Sequence, residues 1–298
     1  MSRSGIQLCY PFDEKRLSRW APPFIVQPKL DGDRCRAVIV ENSVVLLSSE
    51  CNVITSVPHI NEFLSRCGFG TIELDGELYT HGMNHQLIHG IASRSVNAHS
   101  QSDDLELHLF DIVDVAMPQI DRIKLLSAAR YILRAEELRA KVFGPVKIVP
   151  FAVAETLEDV LRVYDKFVEA GYEGIIVREL SAPYIRRRST SVMKFKPKRE
   201  DLYTIVGFTE EVSIHGEPKG RLGALVCRAQ FGEEKFQVGS GFTSAQREDL
   251  WKIKETLAGN TLRVAYQHLT PGKGVPRFPV FIEILWTRGE EYVRSFLE

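Results

Sequence analysis

Paired cysteines, long apolar runs and an excess of charge of either sign are all missing from this 298-residue chain. Its five cysteines (Cys9, Cys35, Cys51, Cys67 and Cys227) are scattered and form no Cys-x-x-Cys pair. That argues against a disulfide framework and against a cysteine-based zinc site, and leaves small apolar side chains with incidental thiols. No apolar run approaches the roughly 18 residues needed to cross a bilayer. The first residues, MSRSGIQLCYPFDEKR, lack the apolar core of a secretion signal. A cytoplasmic protein is expected, or one of the host cytoplasm if the source is viral, with no membrane partner. The formal net charge is −1, so any nucleic-acid binding has to rest on local basic patches rather than on bulk charge. Internal repeats, coiled-coil heptads and low-complexity segments are not seen.

What is present is an ordinary globular composition, 44% hydrophobic and 26% charged, in two successive grammars. Residues 24 to 200 mix strands and helices. Strands are predicted at Phe24–Gln27, Arg34–Val40, Val44–Ser48, Thr71–Tyr79, Leu105–Val113, Val146–Pro150, Gly174–Arg178 and Ser191–Lys196. Helices are predicted at Asp121–Lys141, rich in Leu, Ala, Arg and Glu, and at Leu157–Ala170, with Thr156 as its N-cap and Gly171 as its end. From residue 201 on, short strands (Tyr203–Phe208, Leu222–Ala229, Lys235–Ser240, Thr261–His268, Val280–Trp286) alternate with Gly and Pro around one helix near Ser244–Leu257. Such a set suits a small Greek-key barrel of the OB type. Two domains, 1–200 and 201–298, are expected, joined at the polar Pro197-Lys198-Arg199-Glu200.

The stretch Lys29-Leu30-Asp31-Gly32-Asp33-Arg34 reads as strand, tight connection, strand, with Asp31-Gly32 making the turn. A lysine at that mouth is either a solvated turn residue or a nucleophile. A nucleophilic lysine must first lose its proton, and with an ordinary pKa of about 10.4 only roughly one in a thousand is neutral near physiological pH. Desolvation or neighbouring cations lower that pKa. Lys194 and Lys196, alternating around Phe195, would supply cations and neutralise phosphate charge. They end a basic stretch that begins at Arg186-Arg187-Arg188 and runs through Lys198 and Arg199. Glu77, in Glu73-Leu74-Asp75-Gly76-Glu77-Leu78, and Glu173, ahead of the apolar Gly174–Val177, are hard oxygen ligands suited to Mg²⁺. Phe110 in Phe110-Asp111-Ile112-Val113-Asp114 suits stacking on a purine and equally suits the core. Glu73 and Asp75 read as solvated strand-end charges and Arg178 as a structural ion pair. His81, His85 and His89 recur every four residues, a spacing that stacks them on a helix and could bind a transition metal, although Gly82 and Gly90 flank the stretch.

In their order along the chain, these segments and Met193-Lys194-Phe195-Lys196-Pro197 resemble the covalent nucleotidyltransferase superfamily: ATP-dependent DNA ligases, RNA ligases and mRNA capping enzymes. The resemblance implies an α+β fold. A nucleotidyltransferase (ATP-grasp-like) adenylation domain, with antiparallel sheets and flanking helices, would be followed by an OB-fold β-barrel. It implies that Lys29 attacks the α-phosphate of ATP, that Arg34 and Glu77 touch the ribose and Phe110 the adenine, and that Lys194 and Lys196 face the α-phosphate. Glu77 and Glu173 would hold Mg²⁺, with Mn²⁺ as an alternative. Asp31 would serve the later steps and Gln27 would help select adenine.

Gly220-Arg221-Leu222-Gly223-Ala224-Leu225, Val238-Gly239-Ser240-Gly241-Phe242-Thr243, Pro276-Arg277-Phe278-Pro279-Val280-Phe281 and Arg188-Ser189 resemble the DNA ligases in particular, and the size resembles their small two-domain viral and bacterial type. Two positions depart from that pattern. Ser48-Ser49 stands where ligases carry a Ser-Arg pair whose arginine serves the nick phosphate. Ile284-Leu285-Trp286 stands where the last motif normally ends in arginine, with Arg288 slightly later and Arg277 intact. The expected function is ATP-dependent sealing of 5′-phosphate/3′-hydroxyl nicks in duplex DNA. The alternatives are an RNA ligase, an mRNA guanylyltransferase and an inactive nick-binding clamp. DNA contacts are expected from Arg186, Arg187, Arg188, Lys198, Lys219, Arg221, Lys273 and Arg277, and a monomer is the default.

Overall fold

The computed structural model describes residues 5–196, 199–213, 215–229, 234–266, 268–270 and 273–286. They form two compact units: residues up to Tyr164 together with Tyr172–Phe195, and Asp165–Gly171 together with the residues from Lys196 on. In chain order the elements before residue 196 are β1 (Leu8–Pro11), α1 (Glu14–Leu17), β2 (Phe24–Lys29), β3 (Asp33–Val40), β4 (Ser43–Leu47), α2 (Pro58–Arg66), β5 (Ile72–Tyr79), α3 (His85–Ala92), β6 (Glu106–Ile112), α4 (Gln119–Ala140), β7 (Val146–Ile148), β8 (Ala152–Ala154), α5 (Leu157–Glu169), β9 (Gly174–Glu179) and β10 (Arg188–Phe195). The strands form two sheets, ordered β1-β10-β9-β2-β8 and β4-β3-β5-β6-β7. Pairing is antiparallel except at two sheet edges, where β1 joins β10 and β7 joins β6 in parallel.

The period-2 alternation of β3, β5 and β6 divides the second sheet. One face buries Cys35, Ala37, Ile39, Leu74, Leu78, Leu107 and Leu109 under the apolar sides of α2, α3 and α4. The other face carries Arg34, Arg36, Glu73, Asp75 and Glu77. Helices α2 and α3, short and unmarked by long apolar stripes, were not expected; Asn84 caps α3 by accepting from the Leu87 amide at 2.9 Å. Helix α5 has its expected start, where Thr156 Oγ1 accepts from the Asp159 amide at 3.1 Å, and the chain beyond it turns at Gly171 with φ of 86°.

The Asp31-Gly32 connection is tight, as expected, and it joins strands of different sheets: β2 pairs with β8 and β9 while β3 pairs with β4 and β5. The reason lies in β2, whose side chains are buried at five consecutive positions, as in a central strand with both edges occupied. The chain therefore crosses from one sheet to the other. Gly32 is needed there for close approach: a Cβ would lie 2.1 Å from the Leu78 carbonyl oxygen and 2.9 Å from Glu77 Cγ.

The second unit contains β11 (Arg199–Val212), β12 (Pro218–Arg228), β13 (Lys235–Val238), α6 (Ser244–Lys252), β14 (Thr261–Tyr266), β15 (His268–Leu269), β16 (Pro276–Arg277) and β17 (Val280–Leu285). Strand β11 begins ahead of the boundary expected at residue 201. The five-stranded sheet runs β13-β12-β11-β14-β17 around Ile205, Leu225, Cys227, Val238, Phe242, Leu257, Leu262 and Val264. The barrel expected from the resemblance is not closed among the described residues. The two edges meet at a single bridge, Ser240 with Val280, where the Phe281 amide donates to the Ser240 carbonyl at 2.8 Å. Gly241 follows that bridge, with φ of +91° and no room for a Cβ against the Phe281 carbonyl 2.7 Å away. Where β11 meets β12, Glu211 accepts from Lys219 Nζ at 2.7 Å and from Arg221 Nη2 at 2.9 Å. Arg221 first, then Lys219, hold the Glu211 carboxyl down to about 2 from its ordinary 4.5.

Two tests follow from this packing. Gly32→Ala should lower the unfolding free energy by about 1–3 kcal/mol through overpacking. Gly90→Ala, inside α3 with nothing within 4 Å, should raise it by about 0.4–1 kcal/mol; urea titration reads both. The Glu211 pair contributes stability that is present above its ordinary pKa and lost as pH falls toward about 2. Acid titration of the unfolding midpoint should therefore show a smaller loss for Glu211→Gln than for the wild type.

Candidate active site

Strand register assembles one wall of the site. Lys29 lies opposite Gly174 and Gln27 opposite Ile176 across β2 and β9, and Ile176 lies opposite Lys194 across β9 and β10. Opposed residues in antiparallel pairs share a face, as do residues two apart. Gln27, Lys29, Arg178 and Lys194 therefore line one side of the first sheet. Glu173, directly ahead of β9, forms an ion pair with Lys29 Nζ although 144 residues separate them. Both side chains are about a fifth exposed, and Lys29 Nζ also donates to the Leu30 carbonyl at 3.3 Å. Lys196 follows the end of β10, is half-buried and belongs to the residues grouped with the second unit.

The second sheet supplies the opposite wall. Arg34 and Glu77 are directly opposed across β3 and β5. Arg34 Nε donates to Asp75 Oδ1 at 2.7 Å, and Asp75, fully buried, also accepts from the Tyr184 hydroxyl at 2.5 Å. Phe110 is the extra residue of a β-bulge: Asp75 opposes Asp111 while Gly76 opposes Leu109. Bulges redirect side chains beside sites. The Phe110 ring, 9% exposed, has the Arg34 guanidinium 4.6 Å from its centroid and that of Arg178 at 5.4 Å. Gln27 acts as a clamp, donating to the Phe110 carbonyl at 3.0 Å and accepting from Arg178 Nε at 2.7 Å. Arg178 continues to Asp111 at 3.0 Å, and Asp111 also receives Arg122 Nε at 2.8 Å.

Burial pushes the half-buried Glu77 carboxyl up to about 8, against the pull of Arg34 and Lys29 and with Asp75 and Asp33 adding to the rise. At neutral pH Glu77 thus largely keeps its proton and can donate a hydrogen bond to a hydroxyl. Among the described residues no three His, Cys, Asp or Glu side chains converge as a metal group. The carboxylates do fit Mg²⁺, which keeps waters and binds through one or two carboxylates plus substrate phosphates. The lysines and arginine along the walls fit a polyphosphate.

Asp31 is exposed beside Tyr79, whose hydroxyl is pushed up to about 12 by burial, with Tyr172 and Asp31 contributing. Of the expected DNA contacts, Arg186 pairs with Glu73 at 2.9 Å and donates to the Gly5 carbonyl at 3.0 Å. Arg187 is exposed, and Arg188 lies 5.5 Å from the Tyr10 ring. In the second unit Lys219 and Arg221 are held by Glu211, Lys273 lies 3.6 Å from Glu234, and Arg277 lies 4.4 Å from the Phe278 ring. Lys198 and Arg288 lie outside the described residues.

Glu73 and Asp75 are not solvated strand ends. Asp75 is 0% exposed, and Glu73 is held by Arg36 and Arg186. Sequence reading missed Asp75, Tyr184, Asp111 and Arg122 as one buried polar network; the available signal was a carboxylate set inside apolar strands. The three histidines do not converge. His81 Nδ1 lies 2.8 Å from the Tyr79 hydroxyl, whereas His89 Nδ1 is 2.8 Å and His85 Nε2 3.5 Å from Asp33. Gly82, at φ of +84°, turns the chain before α3 begins and separates the first from the other two. Ser49 hydrogen-bonds Glu50 at 2.9 Å, and Ile284 packs in the second core.

Residues 7–196 match the family model described as ATP dependent DNA ligase domain, and residues 215–284 that described as DNA ligase OB-like domain. A DNA ligase of African swine fever virus is 29% identical over 275 residues, covering 85% of this chain and 61% of the relative. One from Haemophilus influenzae is 24% identical over 287 residues, covering 94% and 92%. This chain thus spans less than two thirds of the viral relative's length. The fold is similar to that of the chlorella virus DNA ligase-adenylate (TM-score 0.67, 22% identity, 96% and 99% covered). It is also similar to the ATP-dependent DNA ligase of bacteriophage T7 in complex with ATP (TM-score 0.70, 16% identity, 94% and 98% covered). With a model match over most of its length, laid on the two walls that carry Lys29 and Arg34, this chain belongs to the ATP-dependent DNA ligases.

Proposed function

We propose that this chain seals 5′-phosphate/3′-hydroxyl nicks in duplex DNA at the expense of ATP, with residues 1–200 as its adenylation domain and 201–298 as its OB domain. The observation that carries this reading is Lys29, gripped by Glu173 on one wall, facing Arg34, Glu77 and Phe110 on the other.

Lys29 Nζ, once deprotonated, forms a bond to the α-phosphorus of ATP as the bond to pyrophosphate breaks, leaving AMP on the lysine. Glu77 and Arg34 serve the ribose, the bulged Phe110 the adenine, and Lys194 and Lys196 the phosphate charge. Mg²⁺, held by Glu173 with Glu77 as second candidate and replaceable by Mn²⁺, would screen the phosphates. The AMP then passes to the 5′-phosphate at the nick, and the 3′-hydroxyl attacks that phosphate and releases AMP. Asp31, exposed at the crossing, is available to these later steps. Positioning and charge neutralisation carry most of the acceleration in phosphoryl transfer.

A nick has no sequence, so contacts go to the backbone. The arginines at 186–188, with Lys198, Lys219, Arg221, Lys273 and Arg277, are the proposed contacts. The protein acts as a cytoplasmic monomer.

Incubation with ATP, Mg²⁺ and a 5′-phosphorylated nicked duplex should give sealed product, and Lys29→Ala should give none. Nick affinity should fall with a log–log salt slope of about −0.9 per phosphate contacted, shallower for Arg187→Ala by about one such unit. Sealing by Lys29→Ala, or salt-independent affinity, would contradict the proposal.

A further inference from the structure

Beyond Lys29 the two walls are closed by aromatic rings. Tyr172 directly precedes Glu173 at the first wall. Tyr79 ends β5 on the second, two residues past Glu77 and so on the same face. The rings of Tyr79 and Tyr172 lie 6.5 Å apart, and that of His81 lies 4.9 Å from Tyr172 and 6.0 Å from Tyr79. Three rings from two walls thus make one shelf. The shelf is braced from behind. His108, opposite Glu77 across β5 and β6, meets the Tyr79 ring edge-on at 5.2 Å, and its Nε2 lies 2.9 Å from Glu106. Tyr79 is buried with its hydroxyl 2.8 Å from His81 Nδ1, Tyr172 packs partly against the main core, and His81 is exposed.

Position and chemistry both specify an occupant. Along the chain the site runs from Gln27, bonded to the Phe110 carbonyl, through Lys29 with Glu173, to Asp31 beside Tyr79. With adenine at Phe110 and its phosphate at Lys29, the shelf lies past the phosphate, on the side away from the base. In-line displacement sets the attacking and leaving oxygens on opposite sides of phosphorus. At a nick AMP leaves toward Phe110, so the 3′-hydroxyl enters from the Asp31 end. Tyrosine and neutral histidine rings offer flat faces and hydrogen-bonding edges without a fixed positive charge, which suits a sugar and base and not pyrophosphate. We propose, given nick sealing as above, that Tyr172 and His81, backed by Tyr79, hold the nucleoside that carries the 3′-hydroxyl. Its oxygen then bonds to the 5′-phosphorus as the bond to AMP breaks, and the hydroxyl proton passes to solvent.

The test isolates the last step by giving the full chain a nicked duplex already adenylated at its 5′-phosphate, without ATP. Tyr172→Ala and His81→Ala should each seal it about tenfold or more slowly than the wild type, the scale of a lost aromatic contact to one nucleotide. Tyr172→Phe, which keeps the ring, should recover most of the rate. AMP transfer from ATP to Lys29 should stay within about twofold of the wild type in all three. Unchanged sealing by either alanine variant, or no recovery in Tyr172→Phe, overturns the proposal. A parallel loss of AMP transfer to Lys29 also overturns it, since Tyr172 would then act only as a prop for Glu173. A wild type that seals neither the adenylated nick nor, with ATP, the ordinary one overturns the ligase reading and this one with it.

Discussion

The crossing at Leu30-Asp31-Gly32 is the constraint on which the site depends. Three residues separate β2 from β3, and those strands belong to different sheets. A passage that short fixes the distance between the sheets, and the contact of Gly32 with the Leu78 carbonyl fixes its depth. As a result Lys29 and Arg34, five residues apart in sequence, stand on opposite walls. Every other group in the site is then set by strand register: Glu173 beside Lys29 through β9, Glu77 beside Arg34 through β5, and Phe110 through the bulge in β6.

Two buried carboxylates hold those walls together. Asp75 gathers Arg34 and Tyr184, and Asp111 gathers Arg122 and Arg178, which continues through Gln27 to the Phe110 backbone. Removing one partner from a buried pair strands the other charge and typically costs about 3–5 kcal/mol. Such a network is a poor source of net stability, yet it fixes geometry, because each charge has only one satisfactory arrangement. Arg34 and Phe110 thus stand on a rigid backing, beside the Glu77 carboxyl that burial pushes up to about 8.

Strands with β-branched runs were legible, as were α5 with its Thr156 cap and the set Lys29, Arg34, Glu77, Phe110 and Glu173, which strand register brings together on two sheets. The tight Asp31-Gly32 connection was legible, but local turn chemistry cannot say whether the strands it joins belong to one sheet, and here they belong to two. The carboxylates Asp75 and Asp111 were misplaced or overlooked because their partners, Tyr184 and Arg122, lie far along the chain in the one case and on a helix in the other. The barrel is not closed among the described residues, where its edges meet at the Ser240–Val280 bridge, a backbone contact invisible to residue pattern.

The central claim is that Lys29 is the residue that takes AMP. Peptide mapping by mass spectrometry after incubation with ATP and Mg²⁺, without DNA, tests it most directly. The account predicts one AMP adduct, on the peptide that contains Lys29, formed from ATP and not from GTP. An adduct on another residue, or none from ATP, would contradict it.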